Sequence, residues 1–90
     1  MNDKTQKIFF YTTFGCHLCE KVEAMLTEIS HQYKDQFHYQ IIPFDIIDDE
    51  KIFEQYRYSI PVLKKEKEDD ELSWPFDYNQ LCLWLDLSQT

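Results

Sequence analysis

The sequence predicts an α/β fold of order β-α-β-α-β-β-α, and three observations predict it. An apolar, aromatic run at Lys7–Thr13 gives way at once to an apolar stripe with helical spacing, and a second strand-like run follows at His38–Ile46. Acidic capping residues at Asp48–Glu50 and at Asp77 open two further helices, with a strand pair between them. Ninety residues, 43% hydrophobic and 17% aromatic, suffice for one core, so residues 1–90 are expected to form a single domain.

Each element has a local reason. Lys7–Thr13 (KIFFYTT) is rich in the residue types that suit a buried strand. Leu18, Val22, Met25, Leu26 and Ile29 trace one face of a helix running from His17 to Tyr33. His38–Ile46 (HYQIIPFDI) reads as a second strand. Pro43 cannot donate to a ladder, which places that strand at a sheet edge or ends it early. Asp48, Asp49 and Glu50 supply acidic capping for a short helix through Tyr56, with Ile52, Phe53 and Tyr56 as its buried face.

Pro61-Val62-Leu63 starts a third strand and Glu71–Trp74 makes a fourth. The charge-dense stretch Lys64–Glu71 has mixed signs and reads as a solvated turn, without the glycine usual in a hairpin. Asp77, with Gln80 three residues later, matches a capping box and opens a last helix whose inward residues are Leu81, Trp84 and Leu85.

Charge and composition narrow the functional classes. A net charge of −8 disfavours nucleic acid, which is held by neutralising phosphates with Lys and Arg, and disfavours an anionic membrane surface. Solubility explains the acidity; a basic protein partner is the sharper alternative. The first residues carry only a brief apolar stretch, Ile8–Tyr11, with neither a signal-peptide pattern nor a membrane span. A cytoplasmic monomer is the expectation. Three cysteines are too few for a secreted disulfide scaffold.

Cys16 and Cys19 are the most informative residues. Two thiols three residues apart at a helix start can close a disulfide across one turn. Unpaired N–H groups there favour an anion, so the first thiol's thiolate is stabilised. Near a strand–helix–strand pattern, such a pair reads as a dithiol redox site. The zinc alternative needs four ligands, and Cys82, His31 and His38 do not supply a matching second pair. Gly15, the single glycine, precedes Cys16 and lets the backbone bend tightly or another chain approach.

This element order, the CxxC after the first strand and the Ile60-Pro61 opening the third together resemble the thioredoxin superfamily. Within it the chain is similar to the small glutaredoxin-like proteins, over about Lys7–Leu87. The resemblance implies a thioredoxin-like, glutaredoxin-type four-stranded mixed sheet flanked by three helices. It implies a nucleophilic Cys16, a resolving Cys19 and a cis bond at Pro61, with the Ile60 backbone pairing with a bound peptide or glutathione.

Trp74-Pro75-Phe76-Asp77 stands where glutaredoxins carry a Gly-Gly pair, and Thr13 where they often carry a lysine. Proline removes a donor there, so glutathione is only a possible co-substrate, with no bound cofactor. The implied activity is thiol–disulfide oxidoreduction on a disulfide-containing protein, reset by an external reductant. The alternative is a redox-sensing or binding module without efficient turnover.

Around the thiols, Phe14, Gly15, His17, Ile60, Pro61, Trp74 and Asp77 are the candidate substrate-binding residues, with Tyr58 and Phe76 as further members of an apolar rim. His17 either shares charge with the Cys16 thiolate or is a solvated first-turn residue, while Glu20 opposes any charge effect. Lys21 and Arg57 could compensate for missing cationic contacts. Cys82 lies in a dense apolar helix and reads as core; a third redox thiol is the minority reading.

Overall fold

Strand β1 (Gln6–Thr12) alternates its side chains between two apolar layers, and this alternation organises the molecule. The computed structural model describes residues 5–87. Ile8 and Phe10 pack with Val22, Leu26 and Ile29 of helix α1 (His17–Gln32) and with Leu81, Cys82 and Leu85 at the last helix, α3 (Tyr78–Trp84). Tyr11 packs in the other layer with Ile46, Tyr56 and Val62, where Phe9 and Phe44 also lie. Tyr56 ends helix α2 (Glu50–Tyr56), so α1 and α3 cover one face of the sheet and α2 the other. Each large side chain so buried contributes about 1.5–3 kcal/mol.

The sheet has the order β2-β1-β3-β4, with β2 spanning Tyr39–Asp45, β3 Val62–Lys65 and β4 Glu71–Ser73. β1 and β2 are parallel, which requires the crossover that α1 provides; β3 runs antiparallel to β1, and β4 antiparallel to β3. The four-stranded mixed sheet with three helices is the architecture expected. Pro43 lies opposite Phe10 on an edge strand, as its missing donor requires.

Boundaries differ slightly from expectation. Ile46 leaves β2 to begin a 3-10 turn (Ile46–Asp48) whose cap is Asp45; Tyr33 is the C-cap of α1, and β4 stops at Ser73. Asp49 caps α2, its Oδ1 accepting from the amides of Lys51 at 2.9 Å and Ile52 at 3.0 Å, with Glu50 as the acidic residue of the first turn. The capping box of α3 is present in full: the Gln80 amide donates to Asp77 Oδ1 at 2.8 Å, and the Asp77 amide to Gln80 Oε1 at 2.9 Å.

Four burial expectations need correction. Lys65, read as part of a solvated turn, is 6% exposed. Its Nζ lies 3.5 Å from Asp70 and 3.9 Å from Asp86, and 4.7 Å from the centre of the Trp84 ring. The Trp84 ring, half-buried against the core as expected, carries that ammonium on its face. Leu18 is exposed, and Cys19 takes its place on the buried stripe of α1. Ile52 and Phe53 are only half-buried. Among the described residues, no helix is long and apolar enough to cross a membrane.

Candidate functional site

Strand register gathers the candidate residues at one end of the sheet. Thr12 pairs with Asp45, Tyr11 with Val62, and Val62 with Ser73. The segments leaving β1, β2 and β4, and the one entering β3, therefore share that end. These segments contain Phe14 to Cys19, the 3-10 turn, Ile60-Pro61 and Trp74 to Asp77.

Gly15 makes the first of these connections. Its φ is +82°, a conformation that disfavours side chains, while nothing lies within 4 Å of where a Cβ would sit. The glycine therefore serves the bend and not a close contact. The bend lets the Cys16 amide donate to the Thr13 carbonyl at 3.3 Å and leaves Cys16 as the N-cap of α1. A sulfur atom does the work usually given to a hydroxyl or carboxylate: Cys16 Sγ accepts from the Cys19 amide at 3.1 Å.

Cys16 and Cys19 are joined as a disulfide, with Cα atoms 5.2 Å apart. Cys16 is half-buried and Cys19 is 4% exposed. The accessible sulfur therefore belongs to the first cysteine and the protected one to the second. Cys82 is a free thiol, fully buried in the core beside α1. Among the described residues, no three His, Cys, Asp or Glu side chains converge as a metal site would require.

Ile60–Pro61 is cis, as the resemblance implied; Trp74–Pro75 is cis too, which the sequence did not signal. The Trp74 amide donates to the Pro61 carbonyl at 3.1 Å, tying the segment before α3 to the segment before β3. Pro61 is buried, while Cys16, Ile60 and Trp74 are partly buried apolar residues packed on one core cluster.

The remaining candidates are placed as follows. His17 is exposed, and its Nδ1 lies 3.6 Å from a Glu20 carboxylate oxygen, the solvated first-turn arrangement. Asp77 is committed to capping α3. Phe76 is buried, with its ring edge-on to Trp74 at 5.5 Å, so it supports the rim and does not form it. Phe14 is 96% exposed and Tyr58 is 88% exposed. Arg57 is held by Glu54 at 3.5 Å and sits over the Phe53 and Tyr58 rings at 4.9 and 4.8 Å.

Sequence reasoning missed Ile47, which is 65% exposed at this end. It follows buried Ile46 in a 3-10 turn, where neither strand nor helical periodicity marks the outward residue. Two surface concavities, one on α2 around Glu50 and Glu54 and one near His38 and Asp86, contain none of the candidates.

Solved structures share this fold. A Xanthomonas campestris protein, XcR50, is 30% identical, with a TM-score of 0.66 over 88% of this chain and 95% of that one. Protein Ne2328 from Nitrosomonas europaea is 27% identical, with a TM-score of 0.72 over 98% of this chain and 100% of that one. The Drosophila melanogaster thioredoxin Deadhead is 17% identical, with a TM-score of 0.64 over 93% and 81% of the two chains, and shares the fold. No curated protein matches significantly. The family model of the glutaredoxin-like domain (DUF836) matches residues 7–86, every secondary-structure element but the first residue of β1. A CxxC disulfide capping the first helix of a thioredoxin fold, within so complete a match, makes this chain a member of the glutaredoxin-like (DUF836) family.

Proposed function

We propose that the protein is a dithiol thiol–disulfide oxidoreductase, with Cys16 as nucleophile and Cys19 as resolving thiol. The observation that carries this reading is the asymmetry of the pair: Cys16 is half-exposed at the N-cap of α1, and Cys19 is buried one turn in. Thiolate fraction and access together govern exchange rates.

In the reduced protein, the Cys16 thiolate attacks a substrate disulfide. A Cys16–substrate S–S bond forms, the substrate S–S bond breaks, and the leaving sulfur takes the electron pair and then a proton from solvent. Cys19, losing its proton, attacks Cys16 Sγ and closes the 16–19 disulfide, which releases the second substrate sulfur as a thiol. The substrate has gained two electrons and the protein has lost two. An external dithiol, or two molecules of a monothiol such as glutathione, returns them.

Ile60 and Trp74, at the same end of the sheet, would support the substrate backbone. Specific use of glutathione is disfavoured. Pro75 has no amide proton and the Trp74 amide is already bonded to Pro61, so the segment before α3 offers few free donors. Thr13 brings no positive charge for its carboxylates. A protein disulfide in the cytoplasm is the better fit, acted on by a monomer that holds no cofactor.

Steady-state reduction of the neutral bis(2-hydroxyethyl) disulfide, with a dithiol as electron source, tests the reading. Repeated turnover that depends on both Cys16 and Cys19 is expected. A protein that is oxidised once and cannot be reset would instead be a sensor.

A further inference from the structure

Five large apolar side chains are exposed among the described residues: Phe14, Leu18, Ile47, Tyr58 and Leu83. Four of them, all but Leu83, lie in the segments that strand register brings to the disulfide's end of the sheet. Apolar surface left in water costs about 25 cal/mol per Å² relative to burying it, so exposed apolar side chains at one end of the sheet favour contact with a partner. The same segments and the first turns of α1 and α2 carry Glu20, Asp45, Asp48, Asp49, Glu50 and Asp77 against Lys21, Lys51 and Arg57. Arg57 is moreover held by Glu54 and covered by Tyr58, which weakens its field toward a partner.

We propose that this face docks a cationic polypeptide segment, in which Lys or Arg residues flank an apolar residue next to the disulfide cysteine. The apolar residue seats against Phe14 and Tyr58, and the cationic side chains face Glu20, Asp48 and Glu50. The charge balance chooses the occupant: an anionic tripeptide such as glutathione meets like charge, and an acidic protein does too. A second copy of this chain, at a net charge of −8, is disfavoured for the same reason. The identity of this segment as a substrate rests on the oxidoreductase reading, whereas its docking does not.

The test separates the two. Two labelled nonapeptides carry serine in place of cysteine and the same apolar neighbour, and differ only in flanking lysines or glutamates. Their binding to the oxidised protein is read by fluorescence anisotropy. At about 20 mM ionic strength the lysine peptide is expected to bind at least about tenfold more tightly, and the gap should narrow at about 200 mM as the charges are screened.

Phe14→Ala should weaken the lysine peptide severalfold, and the double variant Asp48→Lys, Glu50→Lys should erase or invert the preference, with melting curves showing both variants folded. Equal affinity for the two peptides, or no effect of Phe14→Ala, overturns the docking proposal. Lysine-selective binding in a protein that cannot reduce the neutral disulfide supports docking and strikes the oxidoreductase reading alone. Turnover without charge-selective binding does the reverse.

Discussion

The Cys19 amide donates to Cys16 Sγ at 3.1 Å, so the two residues joined by the disulfide are also joined by the cap of α1. A helix start without that acceptor would leave another backbone donor unsatisfied. When the disulfide is reduced, the same amide points at a sulfur that can carry negative charge. On the proposed mechanism the Cys16 thiolate is the one that attacks, because Cys19 is buried a turn further along.

The first prediction follows. In the reduced protein, Cys16 should titrate below the free-cysteine value of about 8.5 and alkylate faster than Cys19 at pH 7. Peptide mapping after brief iodoacetamide treatment over a pH series would show it. Faster labelling of Cys19 would reverse the assignment of roles.

Gly15→Ala should cost about 1–2 kcal/mol, because alanine must adopt a φ of +82°. Gly15→Asn should cost less, since asparagine tolerates that region better. Urea unfolding of the two variants compares them directly. Equal losses would mean that the bend relaxes and that φ is not the reason for glycine.

Tyr56 provides a pH signature. Its phenol donates to the Glu71 carboxylate and stacks on Tyr11 with centroids 4.4 Å apart. Burial first, and then the hydrogen bond and charge of Glu71, hold its pKa well above 10.0. The folded state thus keeps a proton that the unfolded chain releases. This contribution is complete below about pH 10, the unfolded tyrosine value, and is lost as pH rises toward the folded value. Tyr56→Phe should lower stability at pH 7 by about 1–2 kcal/mol and flatten the fall above pH 10. An unchanged alkaline slope would assign that fall to other groups.

Cys82→Ser places a hydroxyl in a fully buried apolar site and should cost about 1–3 kcal/mol. Disulfide exchange by the folded variant should be unchanged. Loss of exchange with the fold intact would make Cys82 a participant.

Local patterns were legible. The Asp77–Gln80 capping box, Pro43 on an edge strand, and Cys16 before a helical stripe each depend on residues within a few positions of one another. What escaped the sequence depends on distant partners. Lys65 is buried because Asp70, Asp86 and Trp84 arrive from the hairpin and the end of α3. Phe76 is buried because it joins a core cluster with Ile8, Phe10 and Leu81 from other elements. At the site, the Cys16–Cys19 pairing was readable from spacing, while exposed Ile47 was not.

Trapping the mixed disulfide tests the division of labour between the two sulfurs most directly. Reduced Cys19→Ser protein, mixed with an excess of a peptide disulfide and analysed by intact mass and peptide mapping, should hold one peptide, linked to Cys16. Cys16→Ser protein should hold none at Cys19 on the same timescale. A stable adduct on Cys19 in place of Cys16, or no adduct in either variant, would contradict Cys16 as the nucleophile.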